Sequence, residues 1–206
     1  MGAMTARPGV PRLASLLRRR REARVGTKTS GRQRGFTLVE QILVGAIVAV
    51  LACVAAPALG HLVVRNRLQI AQSDIIAALQ QTRGMALQSG RRAMLCPTSD
   101  GKQCADGVHW EAGWLAGGYR SDRADQLDAA PAFADRGHER LVIISTAGRK
   151  RIRFQADGTA SGSNTTFTVC RAGEPDGALV VLLSNAGRIY GKKASEEQAN
   201  RCATDR

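Results

Sequence analysis

The hydrophobic positions of this chain change their spacing three times. From Phe36 to Leu59 they are nearly continuous, and Glu40 is the one formal charge in the run. A helix rises 1.5 Å per residue, so about 20 apolar residues cross a bilayer core. The pattern therefore predicts a transmembrane helix over 36–59. Pro57 removes one helical hydrogen bond and is expected to loosen it there, with Gly45 a second soft point. From His61 to Ser89 the spacing becomes three and four: Val64, Leu68, Ala71, Ile75, Leu79, Thr82 and Ala86 form one stripe. Arg65, Arg67, Gln69, Gln72, Asp74 and Gln80 occupy the other faces, which reads as an amphipathic helix over 60–90 continuing the first. Its stripe must be buried against something.

Residues 91–206 supply that surface. Short β-like runs stand at Arg91–Cys96, Glu139–Ser145, Lys150–Gln155, Thr165–Cys170 and Ala178–Ser184, separated by Gly, Asp, Asn and Pro clusters. Residues 118–138 are polar, poor in β-branched side chains, and read as a long loop. With no alternating βα pattern, the expected class is α+β: a long helix packed on a C-terminal antiparallel sheet.

Charge changes the picture at the N-terminus. The formal charge of the chain is +13, which taken whole suggests a nucleic-acid partner. However, residues 1–35 hold 10 Arg/Lys against one Glu, and the rest holds 20 Arg/Lys against 16 Asp/Glu. The excess lies in a basic leader over 1–35, with Arg18–Arg21, Arg32 and Arg34 just ahead of the apolar run. The positive-inside rule then places the N-terminus in the cytoplasm and residues beyond 60 on the other side of the membrane.

Of five cysteines, Cys53 lies in the apolar run and reads as a small apolar residue. Cys96, Cys104, Cys170 and Cys202 lie beyond it. They show no zinc-ligand spacing, and as an even set in an exported domain they read as two disulfides in an oxidising compartment. Three pairings are open. Cys96–Cys104 with Cys170–Cys202 is the simplest, because each pair brackets one local loop.

The junction carries the most specific signal. Gly35-Phe36-Thr37-Leu38-Val39-Glu40, after a basic leader and before a membrane-length helix, resembles the class III signal of type IV pilins and type II secretion pseudopilins. Further along stand Leu95-Cys96-Pro97, Trp110-x-x-Gly113-Trp114, Phe154-x-x-Asp157-Gly158, Phe167-Thr168-Val169-Cys170 and Val180-Val181-Leu182-Leu183-Ser184-x-x-Gly187-Arg188. In that order and spacing they resemble the FimT/GspH family of minor pilins and pseudopilins, over about residues 35 to 190. One departure is the stretch Ala116–Asp122 after Trp114, where the family usually has a short apolar segment and an acid.

The resemblance implies an inner-membrane precursor whose helix later assembles with other pilin or pseudopilin subunits. A prepilin peptidase would cut after Gly35 and methylate the new amine of Phe36. Glu40 would then be the fifth residue of the mature chain. An unpaired carboxylate in a low-dielectric span is costly, so Glu40 is expected to meet the Phe36 amine of its own or a neighbouring subunit. The resemblance fits either a type II secretion pseudopilus or a type IV pilus.

Two basic clusters suggest an alternative, capture of double-stranded DNA during uptake. If 149–153 is a strand, Arg149, Arg151 and Arg153 share one face, and guanidiniums suit phosphate oxygens. The second cluster is Arg188, Lys192 and Lys193, with Tyr190 able to stack on a base. Some FimT-like pilins bind DNA through a C-terminal Gly-Arg-x-Arg element; here that place reads Gly187-Arg188-Ile189-Tyr190. The competing reading of both clusters is an ordinary solvated face.

No enzyme signature, cofactor motif or metal site emerges. His61, His109 and His138 are scattered, and Asp122, Asp125 and Asp128 form an incomplete calcium motif on a polar loop. The expectation is a structural subunit without a catalytic centre.

Overall fold

The computed structural model describes residues 35, 37–138, 140–160 and 162–205. The leader over 1–34 and Phe36 lie outside the described residues, as does Glu139, the first residue of one expected strand. The chain divides into two compact units, Met1–Ala46 and Ile47–Arg206.

In the first unit, helix α1 begins at Leu38. Thr37 caps it: the Glu40 amide donates to Thr37 Oγ1 at 3.3 Å, and the Gln41 amide donates to the Thr37 carbonyl. A threonine hydroxyl here satisfies an amide that has no partner within the helix. Leu38, Val39, Ile42, Leu43 and Val44 are all exposed.

α1 spans Leu38–Ser89 as one element. In the second unit its character changes along its length. Ile47, Val48, Val50, Leu51, Leu59, Leu62 and Val63 are exposed, whereas Leu68, Ala71, Ile75, Ala78, Leu79, Thr82 and Ala86 are buried. That is the stripe read from the sequence with Ala78 added and Val64, its first member, half-buried against the core. Thr82 satisfies its hydroxyl by donating to the Ala78 carbonyl at 2.7 Å.

The stripe packs on two antiparallel four-stranded sheets. The strands are β1 (Ala93–Pro97), β2 (Trp114–Gly118), β3 (Phe133–Asp135), β4 (Val142–Ser145), β5 (Ile152–Phe154), β6 (Thr165–Arg171), β7 (Glu174–Leu183) and β8 (Ile189–Lys193). The first sheet runs β3-β2-β1-β5 and the second β4-β6-β7-β8. Leu68, Leu79, Leu95, Trp110, Trp114, Ile143, Phe154, Phe167 and Val181 share one core. Trp110 meets Phe167 edge-on at 5.0 Å and donates its indole N–H to Ser145 Oγ at 3.1 Å, which makes a fully buried indole tolerable.

Helix α2 (Glu196–Thr204) follows β8, its start fixed by a capping box between Ser195 and Gln198. It packs Ala199 and Cys202 against Val142, Ile144, Cys170 and Ala178, a second small core on the opposite face of β4, β6 and β7. The disulfides are Cys96–Cys104 and Cys170–Cys202, the simplest of the three pairings.

Four elements differ from the sequence expectation: β2, β3, α2 and β8, the last a strand rich in Gly and Lys with no apolar alternation. β2 runs through Gly117 and Gly118, and β3 lies inside the expected loop 118–138. β2 sits between β1 and β3, so its backbone is paired on both sides, and the bare Gly117 leaves room for Leu127, whose methyl carbons would lie 3.4 Å from a Cβ there. α2 was not foreseen, because its buried residues are small.

Candidate functional site

No single cleft gathers the residues singled out in the sequence. They fall into an N-terminal helical segment and a sheet surface.

On the helical segment, Gly35 and Glu40 are exposed, and the Glu40 side chain makes no hydrogen bond or ion pair with other described residues. Among the described residues no helix is long and apolar enough to cross a membrane; the side chains of 54–58, within the expected span 36–59, lie outside the described residues. The Thr37 cap is a feature the sequence reading missed, although Thr followed by Glu three residues on, before an apolar run, is a helix-start signal.

The first basic cluster is not one free face. The strand is only Ile152–Phe154, so Arg149 precedes it in a turn. Arg149 donates to the Gly162 carbonyl and to Asn164 Oδ1. Arg151 donates to the carbonyls of Asp125 and Ala105 at 2.9 and 2.8 Å. Arg153 donates to the Ala124 carbonyl and pairs with Asp125 at 2.8 Å. Arg151 and Arg153 thereby tie the 120–128 segment to the first sheet. Burial lowers the Arg151 guanidinium below its ordinary pKa, with the Asp125 and Asp106 carboxylates opposing that effect. Lys150 pairs with Asp106 at 2.9 Å, and that pairing holds the Asp106 carboxyl below its usual range.

The second cluster is different. Arg188, Lys192 and Lys193 are exposed, and their side chains make no hydrogen bond or ion pair with other described residues. β8 is the last strand of its sheet. Ile189 packs on the main core, and Gly191 faces α1, where Gln72 Nε2 donates to the carbonyls of Val180 and Lys192 at 2.8 and 3.1 Å. Strand alternation then turns Arg188, Tyr190 and Lys192 to the outer face and Lys193 to the helix side.

The remaining candidates are structural. His138 Nε2 meets Asp74 at 3.0 Å, linking the 136–141 segment to α1. His109 lies 3.2 Å from Glu111. Asp122 pairs with Arg120 and Asp125 with Arg153. Among the described residues no group of three or more His, Cys, Asp or Glu is placed to hold a metal.

A long N-terminal helix whose distal half lies on antiparallel sheets is the pilin fold. The profile of the family described as Type II transport protein GspH matches residues 71–187. A crystal structure of the type IV minor pilin FimU from Pseudomonas aeruginosa (strain PAO1) aligns with a TM-score of 0.52 at 26% identity, covering 65% of this chain and 92% of that one. A second crystal form of FimU gives 0.50 at 25% identity, covering 63% and 94%. No curated protein matches the chain in a sequence search. The chain belongs to the GspH family, and it is a structural subunit of the minor pilin or pseudopilin kind. The matched family and FimU are structural pilins rather than enzymes.

Proposed function

We propose that the chain is made as a membrane-anchored precursor, cut after Gly35 by a prepilin peptidase, methylated on the Phe36 amine, and assembled through α1 into a pseudopilus or type IV pilus. The observation that carries this reading is the set of exposed apolar side chains between Leu38 and Leu51 and at Leu59, Leu62 and Val63, with one carboxylate, Glu40, at its start that has no partner among the described residues. Such a surface is stable only against lipid or neighbouring helices. In either setting Glu40 needs a cation, and a freed amine four residues upstream supplies one. The N-terminus lies in the cytoplasm and the sheets on the periplasmic side.

One experiment tests both steps. The parent and Glu40→Ala are expressed beside an assembling system, and membrane and filament fractions are analysed by mass spectrometry. Both chains are expected to begin at a methylated Phe36, and only the parent is expected in filaments. A mature chain still beginning at Met1 would overturn the cleavage, and equal incorporation of Glu40→Ala would overturn the role of the carboxylate.

A second reading, binding of double-stranded DNA, is favoured by Arg188, Lys192 and Lys193, the exposed cations left without internal partners on β8. Three phosphate contacts imply a log–log salt dependence of about −3. Gel shifts of the full-length chain at increasing salt, with Arg188→Ala/Lys192→Ala alongside, test it. A shift that the double variant leaves unchanged, or no shift at low salt, rejects this reading.

A further inference from the structure

The two disulfides differ in what surrounds them. Cys170 lies in β6 between β4 and β7, Cys202 lies on the packed face of α2, and both are fully buried. Cys96 is equally buried in β1, which is paired on one side with β2 and on the other with β5. Cys104 is different. It is half-buried and lines two open depressions, of about 470 and 260 Å³. A molecule in solution therefore reaches one end of Cys96–Cys104 and neither end of Cys170–Cys202.

They also differ in what remains when the bond is open. Cys170–Cys202 spans 32 residues and Cys96–Cys104 only 8, so the second restricts the unfolded chain less. Its short loop is held by other bonds as well. The Thr98 amide donates to the Gly113 carbonyl at 3.0 Å. The buried Thr98 hydroxyl donates to the Gln103 carbonyl at 2.7 Å. The Asp100 carboxylate accepts from the amides of Lys102 and Gln103 at 2.8 and 3.0 Å. Next to Cys104, the Ala105 amide donates to the Pro97 carbonyl at 2.8 Å, and the Ala105 carbonyl accepts from Arg151 at 2.8 Å. None of these bonds needs the sulfur–sulfur bond, so the loop keeps the two cysteines together after it breaks. A thiol held beside its partner recloses far faster than one that must find it.

We propose that Cys104 is a site of reversible thiol–disulfide exchange on the folded domain, through which low-molecular-weight thiols and disulfides open and close Cys96–Cys104 while Cys170–Cys202 stays intact. The incoming thiolate bonds to Cys104 Sγ, the Cys96–Cys104 bond breaks, and its electron pair leaves on the Cys96 sulfur, which takes up a proton. A second thiolate removes the adduct from Cys104, so two thiols become one disulfide as the protein disulfide becomes two thiols. The reverse sequence closes the bond, with Cys96 expelling the adduct. The site involves neither the apolar segment of α1 nor the cations of β8.

The test uses the full-length chain in mild detergent, with Cys53→Ser throughout so that only the four paired cysteines remain. The chain is treated with dithiothreitol without denaturant, quenched in acid at intervals, unfolded, alkylated and mapped by mass spectrometry. Cys96–Cys104 is expected to open about tenfold or more faster than Cys170–Cys202, with circular dichroism unchanged, and oxidised glutathione is expected to close it again. Single variants test the point of entry. In Cys96→Ala, oxidised glutathione should leave one glutathione on Cys104. In Cys104→Ala, Cys96 should stay a thiol until the chain is unfolded. Circular dichroism confirms that each variant is folded. Equal opening rates, or earlier opening of Cys170–Cys202, overturn the proposal, as does loss of the fold when Cys96–Cys104 opens. An unmodified Cys104 in folded Cys96→Ala, or glutathione on Cys96 in folded Cys104→Ala, also overturns it.

Discussion

Gly187 shows how much a single residue can decide in this fold. Its φ is +77°, and a methyl group there would lie 2.3 Å from the Gly158 carbonyl oxygen and 2.9 Å from Arg83 Nε. That same carbonyl accepts from Arg83 Nε at 2.8 Å. The turns at Gly158 and Gly187 therefore close on each other under one arginine of α1. Gly173 has a similar φ of +75° but nothing within 4 Å. Alanine at Gly173 should cost only the left-handed strain, about 1 kcal/mol. Alanine at Gly187 should cost that plus displacement of the turn and of Arg83, about 2–4 kcal/mol in total. For a chain of this size the difference separates the melting temperatures by several degrees. Equal losses would show that the close approach contributes nothing. Nothing in their local sequence distinguishes the two glycines; packing does. The arginines failed similarly: alternation assigns Arg149, Arg151 and Arg153 to one face only if all three lie in a strand. Carbonyls from the 105 and 124–125 positions claim Arg151 and Arg153, and no local pattern announces such partners.

At the scale of elements, legibility followed the size of the buried side chains. α1 was readable because Leu68, Ile75 and Leu79 bury large apolar surface at helical spacing. β4, β6 and β7 were readable because Val, Ile, Phe and Leu dominate them. β2 was not, because Ala116, Gly117 and Gly118 carry no strand signal of their own. It owes its place to registry with β1 on one side, where Leu95 faces Ala116, and β3 on the other, where Phe133 faces Ala116. β3 is three residues long, too short for an alternation to register. α2 buries Ala199, Cys202 and Ala203, a face with little hydrophobic contrast. A nine-residue helix is marginal alone, and here its hold comes from the capping box and from Cys170–Cys202. That disulfide spans 32 residues and by loop closure contributes about 4 kcal/mol. Cysteine counting pointed to a staple at Cys202 without fixing its partner, and it carried no sign of the helix that holds it.

At the largest scale, the apolar residues of α1 pass from exposed to buried near Val64, a border legible in both sequence and structure. Every residue of the two cores lies at or beyond Val64. Among the described side chains of the second unit, Ile47, Val48, Val50, Leu51, Leu59, Leu62 and Val63 are exposed and belong to neither. Among the described residues, then, the cores draw on no side chain before Val64. A fragment covering 61–206 should fold by itself, unfold in one cooperative transition, and melt within a few degrees of the full-length chain in mild detergent. A fragment beginning at Leu79 would lose Leu68, Ala71, Ile75 and the Gln72 bonds to β7 and β8. Each large aliphatic lost from a core costs about 2–5 kcal/mol, so losing Leu68 and Ile75 is comparable to the roughly 5–15 kcal/mol that holds a domain folded. That shorter fragment should be unfolded by circular dichroism. If the 61–206 fragment were unfolded as well, or melted far below the full chain, the apolar segment would be part of the fold rather than a surface held ready for lipid and neighbouring helices. The exposed residues would then need a different explanation from assembly.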